Sequence, residues 1–166
     1  MADTVLVHPN RDKAESKATR SAVMLLLITS AVLVLVIMLG GWSQLQGMHI
    51  VAIGYVIVYL LMAYFVSKWN RGVLPVAAGM AILLAVVAAV AGPAWFSRDK
   101  EGFVDPALEP SILGLLAIIL IPVQILLIAF ALRGLQQQWN VEVEVPREDA
   151  DRYRHGDYEG AEPSTA

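Results

Sequence analysis

Four long stretches of the chain contain no Asp, Glu, Lys or Arg, and polar, charge-bearing segments separate them. The stretches cover about 21-41, 48-67, 73-96 and 111-132. Each is close to the roughly 20 apolar residues that a helix needs to cross the hydrocarbon core of a bilayer. Within them the apolar positions run nearly uninterrupted, without the period-two alternation of a half-buried strand. The pattern therefore predicts an all-α integral membrane protein with four transmembrane helices. A signal peptide competes for the first stretch, but its apolar region is normally about 7–15 residues long, so a retained helix is expected.

The connections are short. Trp42–Gly47 is uncharged, Lys68–Gly72 is a tight basic turn, and Arg98–Glu109 is an acidic loop punctuated by Pro106, with Pro110 just after it. Short links favour sequential neighbours, so the simplest arrangement is an up-down-up-down bundle. Three regions follow: an N-terminal segment 1-20, a membrane domain 21-133 and a tail 134-166. Both terminal segments are expected to be cytoplasmic and flexible, the tail mostly disordered. The alternation Val141-Glu142-Val143-Glu144-Val145-Pro146 and the β-prone Thr4–His8 before Pro9 leave open that the two pair as strands, or that Val141–Val145 adds to a sheet on a partner. An isolated two-stranded ribbon is marginal in water, which favours flexible tails.

Charge sets the expected orientation. Of the twelve Lys and Arg residues, all but Arg98 and Lys100 fall on the side of the two termini. The bias survives without the distal Arg147, Arg152 and Arg154. The positive-inside rule then places both termini in the cytoplasm of a plasma-membrane protein. Trp42 and Trp95 fall at the outer ends of the stretches and Trp69 and Trp139 at the inner ends. They are expected to anchor the helices at the headgroup level, where an apolar ring with one N–H donor is favoured.

Composition narrows the classes of function. The chain is 57% hydrophobic and 16% charged, against about 45–50% and about 25% in soluble domains. The net charge of −3 argues against a nucleic-acid partner. With no cysteine, disulfides and thiolate chemistry are excluded. Charged groups inside a membrane usually mark ion pathways and proton relays, so their absence from the spans disfavours coupled transport. His8, His49 and His155 do not share a ligand spacing, and a haem between paired histidines would lack its second ligand. Asp99, Glu101, Asp105 and Glu109 lack the spacing of a calcium loop. No catalytic, cofactor-binding or metal-binding residue is predicted.

Two features remain. Gly79, Ala81, Ala85, Ala89 and Gly92 form a small-residue pattern on the third span, suited to close helix packing inside the protein or against a partner. Thr29, Ser30, Tyr59 and Gln124 fall at a common depth, roughly 12 Å from the inner boundary at about 1.5 Å per residue. An amide in hydrocarbon must find partners, so Gln124 is expected to bond Tyr59 or the Thr29/Ser30 pair. That layer reads as polar glue between helices, or as a site for a small solute or a quinone headgroup. Pro93 and Pro122 each remove a helical hydrogen bond. The expected function is a non-catalytic accessory or scaffold subunit of a larger membrane complex, with a membrane-protein partner or self-association in addition to the bilayer. The alternative is a homo-oligomeric pore or carrier for a neutral or apolar solute.

Overall fold

A computed structural model of the protein describes residues 4–45, 47–98, 106–148 and Ala150. Asp99, Glu101, Asp105 and His155 lie outside the described residues. The chain is mostly helical, and four of its helices are long and apolar enough to cross a membrane: α2 (Ala14–Gly40), α3 (His49–Ser67), α4 (Val73–Ser97) and α5 (Pro110–Gln136). A short helix, α1 (Pro9–Asp12), precedes them, and strands β1 (Thr4–Val7) and β2 (Val143–Pro146) flank the whole array. Helices α4 and α5 continue through Pro93 and Pro122.

At the termini the structure shows the strand pairing that the sequence left open; Asp149 and residues 151–166 of the tail lie outside the described residues. The fold is not purely α, because β1 and β2 pair antiparallel, with Val5 opposite Val145 and Val7 opposite Val143. Nor do the described parts of the terminal segments lack structure. The ribbon overcomes its marginal intrinsic stability through contacts that do not belong to its ladder. Val7 and Val145 are buried together with Ala150. His8 Nε2 lies 3.0 Å from Glu142 Oε1, and the Asn10 amide donates to the Gln138 carbonyl at 3.2 Å. Helix α2 starts at Ala14, well before the charge-free stretch at Ser21, because Ser16 and Thr19 turn inward and are buried while Glu15 and Lys17 stay exposed. The charge-free stretch marks what lipid can cover; the helix itself is longer.

The most extensive interface joins α4 and α5, followed by α2 with α3 and α2 with α5. Helix α5 and the residues flanking it run along α2 from Thr19–Gln137 through Ser30–Gln124 to Gly40 near Leu108. It pairs with α4 from Leu74 near Gly134 to Gly92 near Gly114. In both interfaces the chains run in opposite directions. By contrast α3 and α4, though joined by the turn 68–72, touch only sparingly. The central core gathers Leu27, Tyr59, Val66, Leu74, Ala81 and Leu127. Leu25, Ile50, Val90 and Leu115 are exposed, as are large apolar residues along all four long helices. Such a surface is unusual for a protein in water and is at home in lipid.

The packing face of α4 departs from the expected one. Leu74, Ala77, Ala81, Leu84, Ala88, Gly92 and Trp95 are buried, whereas Gly79 and Ala89 are exposed and Ala85 is half-buried. A helix has 3.6 residues per turn, so strict steps of four drift around it, while alternating steps of three and four hold one face. Gly92 and Gly114 mark the closest approach. A methyl group on Gly114 would stand 3.0 Å from the Phe96 ring and 3.1 Å from the Gly92 carbonyl oxygen; on Gly79 it would meet nothing within 4 Å. Gly114→Leu is therefore expected to destabilise the fold by about 1–3 kcal/mol through overpacking, and Gly79→Leu to stay within about 0.5 kcal/mol of the parent. Detergent–SDS unfolding titrations followed by circular dichroism would measure both. Equal losses would refute this assignment of the packing face.

Candidate functional site

Within the four long helices three polar side chains converge on one point. Ser30 reaches it from α2, Tyr59 from α3 and Gln124 from α5, and all three are fully buried. The Tyr59 hydroxyl donates to Gln124 Oε1 at 2.9 Å, Gln124 Nε2 donates to Ser30 Oγ at 2.8 Å, and the Ser30 hydroxyl donates to the Leu26 carbonyl at 2.7 Å. The three helices are thus joined by a directional relay ending on backbone. Burying an amide in an apolar layer costs several kcal/mol unless it is bonded, and here both ends of the Gln124 amide have a partner. Thr29, at the same depth, faces outward and is exposed. Helical phase separates the two hydroxyls: Ser30 follows Val23 and Leu27 on the buried face of α2, and Thr29 lies off it.

Beside this relay lies a cleft where α3 and α4 stand apart. It is a cavity of about 130 Å³ lined almost entirely by apolar groups. Met38 of α2 and Leu120 of α5 contribute to its lining, and Ala52 and Tyr55 of α3 face Val87 and Ala88 of α4 across it. The Tyr55 and Tyr59 rings meet edge to face at 5.7 Å, which connects the cleft to the relay. An apolar cleft with small residues in its walls suits a helix or an acyl chain; the hydroxyl–amide relay suits positioning and offers no charge to a reaction. Among the described residues no group of three His, Asp or Glu side chains could hold a metal ion.

A second cluster, at the end of the array nearest the termini, escaped sequence reasoning. Helix α3 closes with a Schellman arrangement, Asn70 N–H to the Phe65 carbonyl at 3.1 Å and Trp69 N–H to the Val66 carbonyl at 3.0 Å. That motif usually places glycine where the backbone turns left-handed, and here Trp69 takes the position with φ 61°. Its ring is held from two sides: the Arg20 guanidinium stacks 4.3 Å from the centroid, and Trp139 meets it edge to face at 5.4 Å. Trp139 is itself fully buried, its indole N–H donating to Gln137 Oε1 at 3.0 Å, and Gln137 Nε2 donating to Thr19 Oγ1 at 3.0 Å. Arg11 Nε donates to the Trp139 carbonyl at 2.8 Å. The available signal was the coincidence of Trp69 and Trp139 with the cation-rich side.

The four tryptophans consequently differ from a uniform headgroup belt. Trp42 is half exposed, Trp69 half-buried, and Trp95 and Trp139 are enclosed by protein. Position along the chain places a ring near a boundary; whether it points to lipid or inward depends on the neighbouring helices. Trp95 packs over Gly41, and the Trp42 and His49 rings meet tilted at 46° with centroids 4.2 Å apart, while His49 Nε2 lies 2.8 Å from the Trp42 carbonyl oxygen. Gly47, at φ 94°, allows the reversal into α3. No family model, curated protein or solved structure matches the chain, so the functional reading rests on these sites.

Proposed function

We propose that the chain is a non-catalytic accessory or scaffold subunit of a larger complex in the plasma membrane. Its four long helices cross the bilayer alternately, with both termini in the cytoplasm, as the distribution of Lys and Arg favours. The observation that carries the reading is the apolar cleft between α3 and α4. Two helices consecutive in sequence and joined by a tight turn ordinarily pack together; here they leave room between them. The walls include Ala52, Ala88 and Ala91, small residues of the kind that let helix backbones approach closely in lipid. Side chains of an apolar transmembrane helix of a partner subunit, packed across the mouth of the cleft, are the occupant this reading gives it. The Ser30–Gln124–Tyr59 relay supports the same reading, because its bonds are made between this chain's own helices and brace the cleft.

The test uses the full chain, tagged and expressed from its native locus, with a photo-crosslinking amino acid at Val51 or Val87, both exposed in the cleft wall. After extraction in mild detergent, one integral membrane protein is expected in fixed ratio, crosslinked through a transmembrane segment. With the crosslinker at Val51, Val87→Trp, which fills the cleft from an exposed position, should abolish both the crosslink and the co-purification. Recovery of the chain only as a homo-oligomer, crosslinked to itself, would overturn the accessory role in favour of a pore or carrier.

A further inference from the structure

Between β1, α1, the first turns of α2 and Trp69 lies a cavity of about 450 Å³. His8, Arg11, Asp12, Lys17, Arg20 and Trp69 line it. We infer that this cavity binds the phosphodiester headgroup of an anionic phospholipid. Three permanent cations face one carboxylate, and that carboxylate is only loosely engaged, Lys17 Nζ standing 3.6 Å from Asp12 Oδ1 in an exposed pair. His8 is turned toward Glu142. Arg11 is fixed through Nε to the Trp139 carbonyl, which holds its guanidinium at the wall.

Arg20 is the informative residue. Its guanidinium carbon lies over the Trp69 ring, 4.3 Å from the centroid, and its Nε is buried with no hydrogen-bond partner among the described residues. No carboxylate among the described residues forms an ion pair with it. A guanidinium held over a ring, with no carboxylate partner among the described residues, matches a phosphate in charge and in hydrogen-bond geometry. Depth selects the lipid as the source. Arg20 is the last charge before the charge-free stretch that begins at Ser21, so the cavity lies at the edge of the hydrocarbon core, where lipid phosphates sit. Basic pockets at this level, rimmed by helix ends, are where acidic headgroups are recognised.

Native mass spectrometry of the full-length protein in mild detergent, titrated with phosphatidylglycerol or with phosphatidylcholine of the same acyl chains, tests the inference. Phosphatidylglycerol is expected to bind about tenfold tighter or more, since each juxtamembrane cation favours an anionic lipid. The Lys17→Gln/Arg20→Gln pair should erase that preference, and Arg20→Lys, which keeps the charge but not the stacked fork, should retain only part of it. Arg133→Gln removes a cation outside the cavity, paired there with Glu15, and should leave the preference intact. Circular dichroism melts establish that each variant is folded; should the double variant fail to fold, Arg20→Lys against Arg133→Gln decides the matter. Equal binding of the two lipids, or equal losses in Arg20→Lys and Arg133→Gln, would overturn the proposal. Displacement of the lipid by millimolar inorganic phosphate would assign the cavity to a free anion and overturn the lipid source.

Discussion

Trp139→Ala is expected to cost about 3–5 kcal/mol of stability, the range for truncating a fully buried aromatic side chain. The indole has no exposed surface and lies against Gly134, where even a methyl group would stand 3.1 Å from its ring. Truncation removes the edge-to-face partner of Trp69 and deprives Gln137 Oε1 of its donor. It also loosens a residue held against its preference. A bulky side chain in the left-handed region costs about 1–2 kcal/mol, and Trp69 is kept there between Arg20 and Trp139. Trp139→Phe retains most of the ring and loses the N–H donor, so it should cost much less, about 1–2 kcal/mol. Reversible SDS titration in mixed micelles, followed by far-ultraviolet circular dichroism, would measure both. A loss below about 1 kcal/mol in Trp139→Ala would show that the cluster closes without its central ring.

Gln124→Ala is the second large expected effect, at about 2–4 kcal/mol: two interhelical hydrogen bonds at about 0.6–2 kcal/mol each, together with a small cavity. The loss is unevenly distributed. Ser30 keeps its bond to the Leu26 carbonyl, whereas the Tyr59 hydroxyl is left buried without an acceptor. Tyr59→Phe removes that stranded donor, so in the Gln124→Ala background it should cost less than in the parent. A double-mutant cycle should return a coupling of about 0.6–2 kcal/mol. Strict additivity, within about 0.3–0.5 kcal/mol, would contradict a direct bond between the two side chains.

What could be read from the chain depended on whether a property belongs to position or to direction. Depth belongs to position. Counting residues from the ends of the charge-free stretches put Ser30, Tyr59 and Gln124 on one level, where the structure joins them. Azimuth depends on which neighbour each helix chooses. Thr29 and Ser30 have nearly the same depth, and only the phase of the α2–α5 contact separates them. The same limit moved the packing face of α4 off Gly79 and Ala89, and turned the rings of Trp95 and Trp139 inward. The start of α2 was hidden for another reason. Lys13 precedes it and supplies no side-chain cap, so the helix start has no local signature and depends on the burial of Ser16 and Thr19. The strand pair was visible as alternation, but its stabilising contacts, His8 with Glu142 and Asn10 with Gln138, join residues far apart in the chain.

That separation imposes an order on assembly. Strand β1 precedes every long helix and β2 follows the last, so the ribbon closes only after α5 has been made and positioned. Pairing across so long a loop is among the slow steps of folding. Until then Arg11 has no Trp139 carbonyl to hold. The clasp between β1 and β2 thus acts as a completion mark: a chain that has made only some of its helices cannot present this finished face to its surroundings.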